Sequence, residues 1–172
     1  MKQNYYIFLD IDGVLWDEEF ITQLIDDGIR ERKDDDIANH FKPGSMQALN
    51  FLLDTLKQNY EVVLVVSSSK RSDMKKTIQQ LKNNNLTCVT KIDRTSLSLD
   101  TPRGEEILDY LKNKQDNKNY CIIDDEIEDI KPYVNKERII KTSDQNALHK
   151  QQVVKFLKKI EHLKQTSEVL EP

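Results

Sequence analysis

Apolar residues recur along the chain in two patterns, and their alternation predicts an α/β fold. Short apolar runs typical of buried strands lie near residues 5–10, 61–66, 87–92, 119–123 and 137–140. Stretches with apolar residues at helical spacing lie near 44–58, 70–84, 103–115 and 144–164. Strands that alternate with helices predict βαβ units. We therefore expect a three-layer α/β/α sandwich, with helices on both faces of a central parallel sheet.

The length of the chain suits one domain with a substantial core. The 172 residues are too few for two ordinary domains. We expect a single domain over residues 1–165. The charged segment 166–172 would then be a C-terminal tail, which leads into a further region if the chain is part of a longer protein.

Two carboxylates follow the first apolar run directly. Residues 7–9 read Ile-Phe-Leu, and Asp10 and Asp12 come next with one residue between them. Side chains alternate along a strand, so both carboxylates leave it on the same side, and Gly13 then permits a sharp turn. Like charges at the end of a buried strand are costly unless a cation or a function requires them. A hard cation such as Mg²⁺ takes oxygen ligands of this kind.

A second apolar run, far away in the sequence, ends in the same way. Residues 120–123 lead into Asp124 and Asp125, and Asp129 follows. In an open parallel α/β sheet, ligands bind outside the carboxyl ends of the strands. Two strands that each end in an acidic pair therefore predict one shared cation site.

Composition and charge narrow the function classes further. The net charge is −4, so the chain has no overall basic character that would indicate nucleic-acid binding. Cys88 and Cys121 lie in or beside predicted strands and suit buried thiols in a reducing compartment. No apolar stretch is long enough for a signal peptide core or a membrane span. We therefore expect a cytoplasmic protein without a membrane span.

Three segments, taken in order, resemble the motifs of the haloacid dehalogenase (HAD) superfamily of aspartate-dependent phosphatases. Residues 10–14 resemble motif I, the strand 62–66 with the serines after it resembles motif II, and residues 124–129 resemble motif IV, DDxxxD. The resemblance extends over residues 5 to about 140. It is closest to the small HAD domains of RNA-repair proteins and to the phosphatase half of polynucleotide kinase-phosphatases. It implies a HAD-like Rossmannoid fold and a Mg²⁺-dependent phosphatase.

The resemblance gives the four acidic residues their roles. Asp10 would be the nucleophile that forms an aspartyl-phosphate intermediate. Asp12 would be the general acid that protonates the leaving oxygen and the general base that then activates water. Mg²⁺ would be held by Asp10, by the backbone carbonyl of Asp12 and by Asp125 or Asp124.

Motif II should supply a hydroxyl that positions the phosphate. Ser67 and Ser68 are both candidates, because the strand before them can end at residue 66 or one residue later. Lys70 and Arg71 follow at the start of the next predicted helix, where acidic residues are usually preferred. This departure favours anion binding by the two cations.

Motif III should supply a fixed cation near the phosphoryl group, and most superfamily members use lysine there. In this chain Arg103 occupies the expected place, just before the helix that leads to motif IV. An arginine can hold two phosphate oxygens with its planar fork. Lys91 and Lys70 are the alternatives for this role.

Residues 15–42 lie where the superfamily carries a flap or a cap domain. They are too few for a full cap, so we expect a small flap and an open site, with Gly13 and Trp16 beside the substrate. Open sites suit macromolecular substrates that cover the pocket themselves.

Three functions remain open on the sequence alone. The acidic flap favours a phosphoprotein as the substrate, with phosphotyrosine preferred. The first alternative is a nucleic-acid 3′- or 5′-end phosphatase in repair, which the closest branch of the family suggests. The second alternative is a catalytically silent HAD-like binding domain.

Overall fold

Five parallel strands form the centre of the computed structural model, which describes residues 2–29, 37–87, 91–98 and 100–168. The strands are β1 (Asn4–Leu9), β2 (Glu61–Val66), β3 (Lys91–Arg94), β4 (Tyr120–Asp124) and β5 (Ile139–Lys141). Their order in the sheet is β3-β2-β1-β4-β5, and all neighbouring pairs are parallel. Strands β1, β2 and β3 lie side by side in chain order, and the chain then crosses over to β4, which lies on the other side of β1. The carboxyl ends of β1 and β4 therefore meet at the topological switch point, where ligands bind in such sheets.

Helices cover both faces of the sheet, which confirms the three-layer α/β/α architecture. They are α1 (Glu18–Asp26), α2 (Pro43–Lys57), α3 (Met74–Asn83), α4 (Arg103–Lys112) and α5 (Lys150–Glu168). Short 3₁₀ helices cover Ile37–Asn39, Ser69–Asp73 and Lys136–Arg138. Alternate residues of each strand point to opposite faces. On β1, Ile7 joins the core that contains α2 and α5, whereas Phe8 joins the core against α4.

The bounds of several elements differ from the predicted ones. The predicted strand 87–92 is found as β3 at Lys91–Arg94, and residues 88–90 lie outside the described part of the chain. The last helix starts at Lys150 rather than near residue 144, because Ser143 and Asn146 form a tight antiparallel bridge before it. Helix α1 was not predicted, since its nine residues bury only Leu24.

The predicted flap, residues 15–42, is anchored at its base to the core of the protein. Asp17 caps α1 by accepting a hydrogen bond from the Phe20 N–H at 3.0 Å, and its carboxylate also pairs with Lys42. The Glu18 N–H donates to the Asp144 carbonyl at 2.8 Å. The acidic residues 34–36 of the flap lie outside the described residues. Among the helices that the structure does describe, none is long and apolar enough to cross a membrane.

Candidate active site

Three carboxylates converge at the carboxyl edge of the sheet. Asp10 follows β1 and Asp124 ends β4, so the parallel pairing of these neighbouring strands places the two side by side. The Asp10 N–H donates to the Ile123 carbonyl at 3.0 Å, which extends this pairing by one residue. Asp10, Asp124 and Asp125 each offer an oxygen, and these oxygens lie within 4.8 Å of one another. The shared site expected from the two acidic strand ends is therefore present as a cluster of three carboxylates.

Burial raises the pKa values of the carboxyl groups in this cluster. Asp10 is 5% exposed and Asp124 is fully buried. Loss of hydration raises the pKa of Asp10 to about 7 and that of Asp124 to about 6, although Arg103 opposes both shifts. Burial also raises the pKa of Asp125, and the nearby Asp144 carboxyl adds to that effect. One arginine does not compensate the buried carboxylates fully, so the cluster suits an additional cation.

Among the described residues, Arg103 is the cation that pairs with this cluster. It is the first residue of α4, and its Nη1 lies 2.7 Å from Asp124 Oδ2 and 3.4 Å from Asp10 Oδ1. Its backbone N–H donates to Asp129 Oδ2 at 3.1 Å. Gly104 permits this close approach, because a Cβ at that position would lie 2.8 Å from the Asp129 carbonyl oxygen. The arginine expected from the motif III position therefore reaches the site.

Lys70 and Asp12 form a second ion pair at the edge of the cluster. Lys70 Nζ lies 3.0 Å from Asp12 Oδ1, and the Asp12 side chain is 41% exposed. The Asp12 carboxylate is thus more accessible than that of Asp10 and is turned toward a different cation. Lys70 reaches it from the 3₁₀ helix Ser69–Asp73, which follows β2.

The two candidate serines of motif II have different surroundings. Strand β2 ends at Val66, and the Ser67 N–H donates to the Leu9 carbonyl at 2.9 Å. Ser68 Oγ caps the following 3₁₀ helix by accepting from the Lys70 N–H at 3.3 Å. Ser67 Oγ is buried and has no hydrogen-bond partner among the described residues. A buried hydroxyl without a partner costs roughly 1–3 kcal/mol, which is understandable at a position that binds a ligand.

Arg71 is engaged in a buried network rather than directed at the carboxylate cluster. Its Nη2 lies 2.8 and 2.9 Å from the two carboxylate oxygens of Glu106, which is 2% exposed. Its Nη1 and Nε donate to the carbonyls of Ser68 and Ser96, each at 2.9 Å. Arg71 was expected to contact the substrate; the structure shows it tying the loop after β2 to helix α4.

Glu106 is the residue in this network that the sequence analysis missed. It lies three residues after Arg103, so both project from the same face of α4. A buried glutamate requires a partner, but the burial of Glu106 is known only from the structure, so the sequence pattern held no signal for it. The pair between Glu106 and Arg71 fixes the two segments that carry Ser67 and Arg103.

Gly13 and Trp16 flank the site in different ways. Gly13 has φ +68°, and a Cβ at this residue would lie 2.5 Å from Asp125 Oδ2. Because Gly13 has no side chain, the Asp125 carboxylate can lie close to the turn after β1. Trp16 is partly buried and packs against the core on the α2 face, and its contact with substrate stays a prediction.

Lys91, an alternative for the motif III cation, lies at the start of β3, 3.5 Å from Asp93.

The fold and this arrangement of residues define a HAD-type hydrolase domain. Residues 6–153 match the family described as the HAD domain in Swiss Army Knife RNA repair proteins, and the chain belongs to this family. This confirms the resemblance inferred from the three motifs.

A solved structure supports the same fold. A protein of Thermotoga maritima assigned as a β-phosphoglucomutase aligns with 91% of this chain and 99% of its own, with a TM-score of 0.50 and 14% identity. At this identity the likeness shows the fold alone. No protein with a curated description matches the sequence.

Proposed function

We propose that the protein is a Mg²⁺-dependent phosphomonoester hydrolase that removes the terminal phosphate from a nucleic-acid strand. The observation that carries the proposal is the position of Asp10: a buried carboxylate at the switch point, beside Arg103 and two further carboxylates. Such a group can attack phosphorus, because it is held in place and shielded from competing water. The RNA-repair family supports the nucleic-acid substrate.

The reaction divides into two steps. In the first, Asp10 attacks phosphorus, a bond forms between its carboxylate oxygen and phosphorus, and the bond to the leaving oxygen breaks. Asp12 donates a proton to that oxygen. In the second, Asp12 takes a proton from water, which attacks the phosphorus of the aspartyl phosphate and releases inorganic phosphate and free Asp10.

Arg103 and Ser67 would hold the phosphoryl oxygens during both steps. The Arg103 guanidinium already lies 3.4 Å from Asp10 Oδ1, and a planar fork can bind two phosphate oxygens together. The unpaired Ser67 hydroxyl would gain a partner when a phosphoryl oxygen binds. Preorganised donors of this kind stabilise the charge of the transition state.

The carboxylate cluster fits a hard divalent cation. Asp10, Asp124 and Asp125 would hold it through oxygen, the ligand type that Mg²⁺ prefers. When bound, the cation supplies positive charge that favours ionised carboxylates and offsets the charge of the phosphoryl group. The raised pKa values of Asp10 and Asp124 indicate that such charge is needed near neutral pH.

Mg²⁺ is expected to raise the Tm of the protein, and to raise it more at pH 8 than at pH 5.5. Protons compete with the cation, because burial raises the pKa of Asp10 to about 7 and of Asp124 to about 6. At a hundred times the Kd the stabilisation is about 2.7 kcal/mol, or roughly 5–10 °C for a chain of this size.

Asp125→Asn should lose most of this shift in Tm. The matched control is Asp109→Asn, since Asp109 is exposed on α4 and pairs with Lys112. A shift that does not depend on pH, or that persists unchanged in Asp125→Asn, contradicts the assigned metal site.

Ser67→Ala is expected to lower kcat/KM for an aryl phosphate by roughly 10- to 100-fold, because one donor to the transition state is lost. Ser68→Ala should have a smaller effect, since Ser68 Oγ is already used as a cap. The Tm of Ser67→Ala should be unchanged or higher, because the variant removes an unpaired buried hydroxyl. A larger kinetic loss in Ser68→Ala than in Ser67→Ala would reverse the assignment.

The structure weakens one argument for a phosphoprotein substrate. That argument relied on repulsion between the acidic flap and a polyanion. Asp17, one of the flap acids, is buried and paired with Lys42, so it presents no free charge to an approaching strand. The flap keeps part of its acidic character, because it also has exposed acids at Glu18, Glu19, Asp26 and Asp27. Phosphoprotein, with phosphotyrosine preferred, is the second candidate, because the matched family is one of RNA-repair proteins.

A substrate comparison tests the proposal directly. The kcat/KM values should be measured with Mg²⁺ on 3′- and 5′-phosphorylated oligoribonucleotides, a phosphotyrosine peptide and a sugar phosphate. The proposal expects one of the oligonucleotides to be the best substrate. A preference for the peptide would favour the second candidate, and binding without any turnover would favour a catalytically silent domain.

A further inference from the structure

A groove runs along α3. Its volume is about 640 Å³, with the exposed face of α3 as one wall and the 3₁₀ helix Ile37–Asn39, followed by His40, as the other. Lys75, Lys76, Gln79 and Asn83 line the α3 side. Helix α3 has ten residues, so its wall is roughly 15 Å long.

A smaller depression connects the groove with the entrance of the site. It has a volume of about 140 Å³, it is lined by Lys70, Ser72 and Thr77, and it shares Asp73, Lys76 and Gln80 with the groove. Lys70 Nζ is also 3.0 Å from Asp12 Oδ1. A chain whose terminal phosphate reaches the site can therefore continue past Lys70 into the groove.

Hydrogen bonds between amides hold the two walls together. Gln80 Nε2 donates to Asn39 Oδ1 at 3.1 Å, and Asn84 Nδ2 donates to the Asn39 carbonyl at 2.7 Å. Asn84 Oδ1 accepts from the Phe41 N–H at 2.8 Å. The groove is thus formed before any ligand arrives, which reduces the ordering cost of binding.

The lining suits a polyanion that also carries hydrogen-bonding groups. Lys75 and Lys76 offer two positive charges, and the Asp73 carboxylate, which caps α3 by accepting from the Lys76 N–H at 3.0 Å, adds one negative charge. Gln79 Nε2 donates to Asn83 Oδ1 at 2.7 Å, so the Gln79 carbonyl oxygen and the Asn83 amide nitrogen remain to accept from and donate to a ligand. Lysines bind phosphates, while amides can bond to the edges of unstacked bases, and an imidazole such as that of His40 can stack on them.

We propose that this groove binds the single-stranded RNA segment adjoining the terminal phosphate. The inference rests on the proposed function and names the part of the substrate that the catalytic residues do not touch. It explains how an acidic protein can bind RNA: the positive charge is local, along α3, although the net charge of the chain is −4.

The test is a binding measurement with a protein that cannot turn over. Asp10→Asn alone and Asp10→Asn with Lys75→Gln and Lys76→Gln are titrated into a 5′- or 3′-phosphorylated oligoribonucleotide labelled at its other end. Two phosphate contacts change log K by about 0.7 each per decade of salt. The triple variant should therefore bind about tenfold more weakly near 0.15 M salt, with a salt slope smaller by about 1.4.

The matched control removes the same charge elsewhere. Lys112→Gln with Lys118→Gln, in the Asp10→Asn background, alters two exposed lysines near the amino ends of the strands and should leave both affinity and salt slope unchanged. Equal weakening by both pairs of substitutions would mean a general charge effect and overturns the proposal. An RNA affinity that stays unchanged after the α3 substitutions also overturns the proposal. So does a phosphopeptide whose affinity falls more than that of RNA when Lys75 and Lys76 are substituted.

Binding and turnover separate this inference from the proposed function. If the wild-type protein hydrolyses no phosphomonoester but RNA binding depends on Lys75 and Lys76, only the proposed function fails. If the wild-type protein is a phosphatase but its RNA affinity does not depend on these lysines, only the proposal for the groove is contradicted.

Discussion

Asp10→Asn is expected to lower kcat for an aryl phosphate by roughly 10⁴-fold or more, because asparagine has nearly the same shape but no anionic oxygen to attack phosphorus. Asp12→Asn should lose roughly 10²- to 10⁴-fold, with the larger effect on poor leaving groups, since it removes the proton donor. The comparison is made by steady-state kinetics with Mg²⁺ on an activated and an unactivated phosphomonoester.

The stability of Asp10→Asn provides the control for this result. The folded pKa of Asp10, about 7, lies above its unfolded value. Ionised Asp10 therefore opposes folding, and this penalty grows as the pH rises through about 7. In the absence of metal at pH 8, Asp10→Asn should have a Tm at or above that of the wild type. Full activity in this variant would contradict the covalent mechanism, and a large fall in Tm would contradict the electrostatic account of the cluster.

Arg103→Ala is also expected to have a large effect, a loss of about 10²- to 10³-fold in kcat/KM. The variant removes a cation that lies 2.7 Å from Asp124 and 3.4 Å from Asp10. It also leaves two buried carboxylates without this partner. Removing one partner of a buried pair typically costs 3–5 kcal/mol, so the Tm should fall, and it should fall less at pH 5.5, where the carboxyls take up protons.

Arg103→Lys separates charge from geometry. Lysine keeps the positive charge but cannot bind two oxygens with a planar fork. We expect its kcat/KM to lie between those of the wild type and Arg103→Ala, with most of the stability restored. Wild-type kinetics in Arg103→Ala, measured below its Tm, would exclude this arginine from the reaction.

The acidic centre of the site could be predicted from sequence because it depends on the simplest geometry in the fold. Asp10 and Asp124 each end an apolar strand, and parallel strands bring their carboxyl ends to one edge. Arg103 could be placed by its position before the helix leading to motif IV. The two aspartates require only the order of the strands, whereas the role of Arg103 comes from the resemblance to motif III.

Other parts of the site depend on contacts that the sequence pattern does not contain. The choice between Ser67 and Ser68 depends on the residue at which β2 stops pairing with β1, and the run of serines gives no signal for it. The position of Arg71 at a predicted helix start, where acidic residues are usual, favours anion binding, but its partner Glu106 lies 35 residues away in the sequence. The groove along α3 depends on amide contacts between α3 and the flap, and these too are distant in sequence.

The measurement that tests the central claim most directly is acid quenching of a single turnover, followed by mass spectrometry of the tryptic peptide covering residues 3–30. The account predicts one phosphoryl group on Asp10, present early and lost later, and accumulating in Asp12→Asn because its release needs the general base. Reduction with borohydride should convert the phosphorylated residue to homoserine at position 10. A phosphoryl group on a different residue, or turnover with no phosphorylated enzyme at any time, would contradict it.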